Sequence, residues 1–150
     1  MEFIQIAFGV LLGAVISYAP RFIRARSRID TNRAFLLVEI AKNKKMAETY
    51  LNDGIASPSY RLPHLGLSQC VPQIIEHGKL LFGQIDAIQD FYIEVGSLNR
   101  GLDQADKRRD EPNDLAIEVN RNRIKAQNIL DKYEDAMRAT TSISTWPWSS

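Results

Sequence analysis

The chain has 150 residues, of which 45% are hydrophobic and 25% charged, and its formal net charge at pH 7 is +1. This length supports one small domain after any terminal segment, and it is too short for two domains with separate cores. The sequence contains one cysteine, which excludes a disulfide framework within the chain and agrees with a reducing compartment.

The first predicted element is a transmembrane anchor in residues 1–20. Residues 3–19 form an uncharged apolar run, which as a helix covers about 25 Å of a ~30 Å hydrocarbon core. A cleaved signal peptide is the main alternative, but it requires basic residues before the apolar run. Only Met1 and Glu2 precede this run, and Pro20 would directly follow the cleavage site. We therefore expect an uncleaved transmembrane helix.

A basic juxtamembrane segment, residues 21–34, follows the anchor. Residues 21–45 contain eight basic and two acidic side chains, whereas residues 46–150 are net acidic. The positive-inside rule therefore places the N-terminus outside a cell inner membrane and the C-terminal domain in the cytoplasm. Contact with anionic membrane lipids accounts for the basic residues, so nucleic-acid binding is not expected. The expected headgroup contacts are Arg21, Arg24, Arg26 and Arg28.

Small residues recur along one face of the predicted anchor. Gly9 and Gly13 form a G-x-x-x-G motif, and Ser17 continues the spacing of four residues. Such a face lets two helix backbones approach closely in a membrane, although glycine is also simply frequent in transmembrane helices. The functional interpretation of this face is a helix–helix contact in the membrane, with a second copy or with a partner's transmembrane helix.

Helical periodicity continues through the rest of the chain, and no segment shows the alternation that is typical of a strand. A broad apolar face in residues 29–51 predicts a helix that continues the anchor, with a kink near Pro20. The Asn-Asp-Gly sequence at residues 52–54 predicts the end of this helix. Residues 55–66 contain proline and scattered apolar residues, which predict an ordered loop.

Three more helices are predicted after this loop. Ser68 caps a short helix that has Pro72 in its first turn and ends at residues 77–78. A longer helix then ends near Gly101, and Pro112 opens a last helix with two partial apolar faces. The stripe of the longer helix consists of Leu81, Ile85, Ile88, Tyr92, Val95, Leu98 and Leu102. The two faces of the last helix contain Ile117, Ile124, Leu130 and Met137, with Val119, Ile129 and Tyr133.

These elements predict an all-α fold, in which an N-terminal transmembrane helix continues toward a small antiparallel helical bundle in residues 35–139. Residues 140–150 form a tail that contains Trp146 and Trp148. Tryptophan favours a buried pocket or the membrane interface. The tail is therefore a possible interface segment, and a frayed end or docking on its own bundle are the alternatives.

The sequence contains no recognisable catalytic, metal-binding or cofactor-binding motif. His64 and His77 have no further ligands at metal-site spacing, and Cys70 is expected to be a buried structural thiol. The acidic residues between Asp103 and Asp114 lack the ligand order of a calcium loop. We therefore expect no cofactor, no small-molecule substrate and no enzymatic activity.

Glu39 and Asn43 lie one helical turn apart in an E-I-x-x-N motif, and we expect a buried structural polar pair that satisfies the following loop. The anchor, its arginine-rich flank, this motif and the Gly-Ser-Leu-Asn sequence at residues 96–99 resemble a broad group of uncharacterised bacterial single-pass membrane proteins. The resemblance spans residues 15–102. It implies a bacterial origin and this topology, but no activity.

Together these features favour a non-enzymatic, single-pass membrane-anchored adaptor or assembly subunit, which presents a helical cytoplasmic domain to a protein partner or to a second copy. The alternative is a membrane-acting effector or toxin-like protein that oligomerises through its anchor. Inducible expression separates the two, because growth arrest with loss of membrane potential indicates the effector.

Overall fold

A computed structural model contains four α-helices in the part of the chain that it describes, so the predicted all-α class is confirmed. The structure describes residues 2–53, 60–76 and 80–144, and it describes only the backbone of residues 2–16 and 22. No strand occurs within these described ranges. The helices are α1 (Glu2–Asp53), α2 (Leu65–Glu76), α3 (Phe82–Lys107) and α4 (Pro112–Thr141).

Helix α1 has 52 residues and is about 78 Å long at 1.5 Å per residue. The helix continues through Pro20, which is exposed, and water can reach the backbone where proline removes one hydrogen bond. Among the side chains of α1 that the structure describes, Ile29 is the first that is buried, and none between residues 17 and 28 is buried. Residues 17–28 therefore project from the bundle, and we name them the stalk.

Hydrogen bonds between helices define the direction of α2. Asn32 donates to Gln73 over 3.0 Å near the start of the buried half of α1. Glu39, further along α1, accepts the backbone N–H of Gly66 at the start of α2. Because the later residue of α1 meets the earlier residue of α2, the two helices are antiparallel.

Helix α4 also runs antiparallel to α1, because Arg33 donates to the carbonyl of Ile143, just beyond the end of α4, over 3.3 Å. Gln84, in the first turn of α3, donates to Ser142 over 2.8 Å, so α3 begins at the same level. The four helices therefore alternate in direction, as in an up-and-down bundle. We name the end with Arg33, Gln84 and Ile143 the proximal end, and the end with residues 50–53 the distal end.

One face of each helix forms the core. On α3 the predicted apolar stripe is buried from Ile88 to Leu102, whereas Leu81, which precedes the helix, is 73% exposed. Helix α4 contributes mostly small side chains, which allow its backbone to approach α1 and α3 closely. The buried residues of α4 are Glu118, Asn122, Ala126, Ile129, Ala136, Ala139 and Thr140.

The buried face of α4 differs from the simplest sequence-based expectation. Ile117 and Ile124 lie on a predicted apolar face, but they are 48% and 65% exposed. The positions that face the core instead lie on the side of the helix that carries Ala126 and Ile129. Both predicted faces are partly buried, since Leu130 and Met137 of one and Tyr133 of the other pack against the core.

Three boundaries also differ from the predicted ones. The buried core begins at Ile29 and ends at Ile143, outside the predicted limits of residues 35–139. Helix α3 continues past Gly101 as far as Lys107. Gly101 is buried within α3, so its lack of a side chain makes room for α4 instead of ending the helix.

In the part of the chain that the structure describes, no helix is both long enough and apolar enough to cross a membrane. The predicted transmembrane helix is therefore not supported there, and most of its side chains, in residues 3–16, lie outside the description. Trp146 and Trp148 of the predicted tail also lie outside the described residues.

Replacing Gly101 with alanine is expected to lower the free energy of unfolding by about 1–3 kcal/mol. The new Cβ would overlap Oδ1 of buried Asn122 and would lie 2.7 Å from Nζ of Lys125. Gly96→Ala is the matched control on the same helix, since its Cβ would meet only Nη1 of Arg100, at 3.6 Å. Alanine favours helix over glycine, so this control is expected to gain about 0.5–1 kcal/mol. Urea denaturation of both variants measures the difference, and an unchanged or raised stability of Gly101→Ala would contradict this packing.

Candidate interaction surface

An apolar groove lies on the outer side of α1, beside the start of α2. Its volume is about 230 Å³. Val38 is 69% exposed in this groove, and Phe35 and Leu65 are 44% and 49% exposed. Clustered exposed apolar side chains mark interaction sites more often than scattered ones do. We name this feature the α1 groove, and its lining residues are Phe35, Val38, Glu39, Lys42, Pro63 and Leu65.

The stalk carries a basic stripe on the same side of α1. Arg21, Arg24 and Arg28 follow one another at spacings of three and four, and with Ala25 they line a shallow depression of about 210 Å³. The same spacing leads on to Phe35 and Val38, so the arginines and the groove share one face of the helix. Arg26 points elsewhere and lies 3.9 Å from Asp30. All four predicted arginines and Ser17 are exposed.

A buried carboxylate lies at the base of the groove. Glu39 is only 5% exposed, and its Oε1 accepts the backbone N–H of Gly66 over 2.8 Å and the hydroxyl of Tyr92 over 2.7 Å. The first turn of a helix has N–H groups without partners and a positive dipole end, which a carboxylate satisfies well. Glu39 of α1 thus caps α2 from outside, and this cap explains why α2 begins at Leu65 and not after Ser68.

Burial, together with the Glu39 carboxylate, raises the pKa of two neighbouring groups. Burial raises the pKa of Tyr92 far above its usual range, and the hydrogen bond to Glu39 and its negative charge raise it further. Burial and the charge of Glu39 also raise the pKa of the Cys70 thiol, which is 5% exposed. Both groups therefore stay protonated at neutral pH, and a protonated thiol is a poor nucleophile.

Two asparagines hold the loop that precedes α2. Asn43, which is fully buried, donates to the carbonyl of Pro63 over 2.8 Å. Asn99 of α3 accepts the N–H of Leu62 and donates to its carbonyl, both over 2.9 Å. These three bonds satisfy backbone groups that would otherwise be buried without partners. They fix the wall of the α1 groove that Pro63 and Leu65 form.

Glu39 and Asn43 thus both bond to the segment that follows α1, and they do so at separate points. Neither hydrogen-bonds to the other: Asn43 holds the loop at Pro63, and Glu39 holds the start of α2 at Gly66. Sequence reasoning missed Tyr92 and Asn99 as members of this network. For Asn99 the sequence offered one signal, because an amide side chain directly follows Leu98 of the apolar stripe. The structure shows that this amide is buried.

A second buried polar cluster lies at the distal end. Glu118 of α4 is 2% exposed and lies 2.9 Å from Arg121 and 3.6 Å from Arg108, which follows α3. Burial raises the pKa of Tyr50 above its usual range, although Asn122 and Arg123 oppose the rise. The Arg108–Glu118 ion pair joins the end of α3 to α4, and Arg123 of α4 donates to the carbonyl of Leu51 near the end of α1 over 3.3 Å, so these contacts clamp the distal end.

Several predicted features lie outside the interaction surface. Asp103 and Asp106 pair with Arg61 and Arg109. Within the described residues, no three histidine, cysteine, aspartate or glutamate side chains are grouped so that they would hold a metal ion. Gly9, Gly13 and His77 lie outside the side chains that the structure describes.

The fold and its surface define a class of protein, an all-α bundle whose first helix extends beyond the other three. No family model, no curated protein and no solved structure matches the chain. The resemblance to a group of bacterial membrane proteins therefore stays a prediction.

The Tyr92→Phe variant is expected to lose about 1.5–3 kcal/mol of unfolding free energy, because it removes a hydrogen bond to a buried carboxylate. Tyr133→Phe is the matched control. It keeps the ring on which Nζ of Lys44 lies, 4.4 Å from the centroid, and it is expected to change stability by at most about 0.5 kcal/mol. Urea denaturation checks both, and equal midpoints would contradict the role of the Tyr92 hydroxyl.

Alkaline conditions are expected to unfold the bundle. An unfolded tyrosine ionises near pH 10.0 and the folded Tyr92 only at much higher pH, so the unfolded state binds fewer protons above pH 10.0. The stabilisation is complete below that pH and falls above it by up to about 1.4 kcal/mol per pH unit for each such tyrosine. Unfolding free energies measured from pH 8 to about 11 should show this slope. Tyr92→Phe should flatten it, and a slope equal to wild type would contradict this assignment.

Proposed function

We propose that the chain is a non-enzymatic, single-pass membrane-anchored adaptor or assembly subunit, whose cytoplasmic bundle binds a protein partner. One observation carries the proposal: the apolar run and the first core segment of the bundle belong to the same uninterrupted helix, α1. A partner bound to the bundle would therefore be held at a set distance from the anchor.

The spacing along α1 fits this arrangement. A helix needs about 20 residues to cross a hydrocarbon core of ~30 Å, which residues 3–22 would supply, and the long side chain of Arg21 near the end of this span can reach the headgroups. The next residues, 23–28, include Arg24 and Arg26 at the depth of a headgroup layer of about 5–8 Å and Arg28 near its outer edge. The bundle core begins directly afterwards at Ile29. The basic stripe would therefore lie among anionic headgroups, and the α1 groove would lie above it.

The α1 groove is the surface that we assign to the partner. Its apolar floor suits one or two apolar side chains, and the exposed Lys42 at its rim suits an acidic residue beside them. The Glu39 and Asn43 bonds fix the wall that Pro63 and Leu65 form before any partner binds, which lowers the entropic cost of binding. No described residue in the groove is arranged as a nucleophile with a base, which favours binding over catalysis.

Photo-crosslinking in native membranes tests the proposal. A photoreactive residue at Val38 is expected to give one stoichiometric protein adduct, and the same residue at Ile124 is the control. Both side chains are exposed to a similar degree, at 69% and 65%, but they lie on different helices. Equal crosslinking at both positions, or none at Val38, would argue against a partner in the groove.

A charge in the groove should disrupt the complex. Val38→Asp is expected to weaken partner recovery at least tenfold, because a charged carboxylate must lose its hydration to enter an apolar contact. Ile124→Asp should leave recovery unchanged, and circular dichroism of both variants checks the fold. Growth arrest with membrane depolarisation on expression of the wild-type chain, without any crosslinked partner, would instead indicate a membrane-acting effector.

A further inference from the structure

The proximal end of the bundle exposes two large apolar side chains where α3 begins. Leu81 is 73% exposed and Phe82 is 87% exposed, and Phe82 is the most exposed large apolar side chain among those described. Ile75, in the last turn of α2, is 45% exposed near the same end. We name Leu81 and Phe82 the proximal corner. Exposed aromatic and aliphatic residues side by side are costly in water unless they meet another surface.

The direction of α3 aims this corner away from the bundle. Side chains on a helix lean toward its N-terminus, and the N-terminus of α3 lies at the proximal end, level with Arg33 and Ile143. Phe82, the first residue of α3, therefore leans toward the side on which the stalk leaves the bundle. That side is the one that would face the membrane if residues 3–22 span it.

The height of the corner above such a membrane follows from the helix rise. Phe82 precedes Gln84 by two residues, which places it about 3 Å below the level of Arg33. The outer edge of the headgroup layer would lie near Arg26, about 10 Å below Arg33 along α1. The remaining gap of about 7 Å is comparable to the length of a phenylalanine side chain, and an ordinary helix tilt of about 20° reduces it on one side of α1.

Charge at the same end favours a lipid surface over a protein as the occupant. The stalk leaves the bundle at this end and carries Arg21, Arg24 and Arg28, and each arginine near an anionic membrane surface adds about 1 kcal/mol of attraction. Exposed apolar side chains at the same end of a protein as basic residues are a combination that favours binding in the membrane interface. We propose that the proximal corner docks into an anionic lipid surface and gives the bundle a second membrane contact. This inference rests on the proposed anchor.

Fluorescence of the full-length chain in unilamellar vesicles of phosphatidylcholine and phosphatidylglycerol tests the docking. An environment-sensitive dye is attached at Phe82→Cys, at Ile93→Cys and at Leu11→Cys, each in a Cys70→Ala background. Ile93 is the matched control, because it lies on the same helix and is 59% exposed, about 16 Å further from the stalk. The Leu11 label reports on the anchor alone.

The dye at position 82 is expected to be quenched by headgroup-nitroxide lipids at least about twofold more strongly than the dye at position 93. It should also be shielded from aqueous iodide. Equal quenching at 82 and 93, with a shielded dye at position 11, would overturn the docking and leave the anchor intact. An iodide-accessible dye at position 11 would overturn both proposals. Shielding at 82 without lipid quenching would indicate contact with a second copy, and it would overturn the docking as well.

Discussion

The position of α2 depends on one buried carboxylate. Glu39 accepts hydrogen bonds from the backbone of α2 and from Tyr92 of α3, so a single side chain of α1 connects three helices. Removing a carboxylate from water costs several kcal/mol, and here two donors and the positive end of a helix dipole offset that cost. A neutral apolar side chain at position 39 would leave the N–H of Gly66 and the hydroxyl of Tyr92 without partners. The start of α2, and with it one wall of the α1 groove, is therefore set by electrostatics more than by apolar contact.

Close packing makes this arrangement intolerant of added volume. A Cβ at position 66 would lie 2.5 Å from the Tyr92 hydroxyl, 2.8 Å from Cδ2 of Leu36 and 2.9 Å from Oε1 of Glu39. All three of these side chains are buried, so none of them can move aside cheaply. The hydrogen bonds thus exist only because residue 66 has no side chain. The same principle operates at the distal end, where Gly101 admits Asn122, and so two glycines set how closely α2 and α4 approach the other helices.

Features that depend on local periodicity could be predicted from the sequence, and those that depend on distant partners could not. The α3 stripe from Ile88 to Leu102 and the start of α4 at Pro112 follow from spacing and proline chemistry alone. The start of α2 does not, because its cap comes from a residue 27 positions away. On α4 two faces have similar apolar content, so the sequence did not show which positions contact α1 and α3 and become buried. The sequence also named Glu39 and Asn43, but it did not show that Tyr92 donates to Glu39 or that Asn99 holds the same loop at Leu62.

The junction between stalk and bundle fixes the direction of the α1 groove relative to the basic stripe. Helix α1 turns by about 100° per residue, so the face that carries Arg21, Arg24 and Arg28 and the face that carries Phe35 and Val38 coincide only for the present number of residues between them. One residue more or fewer would rotate the groove by about 100° relative to the basic stripe. Because Ile29 is already in the core, no flexible linker separates the two features and none can correct such a rotation. The helix therefore fixes both the distance of the groove from the basic stripe and its direction. A flexible tether of equal length would fix neither of these quantities.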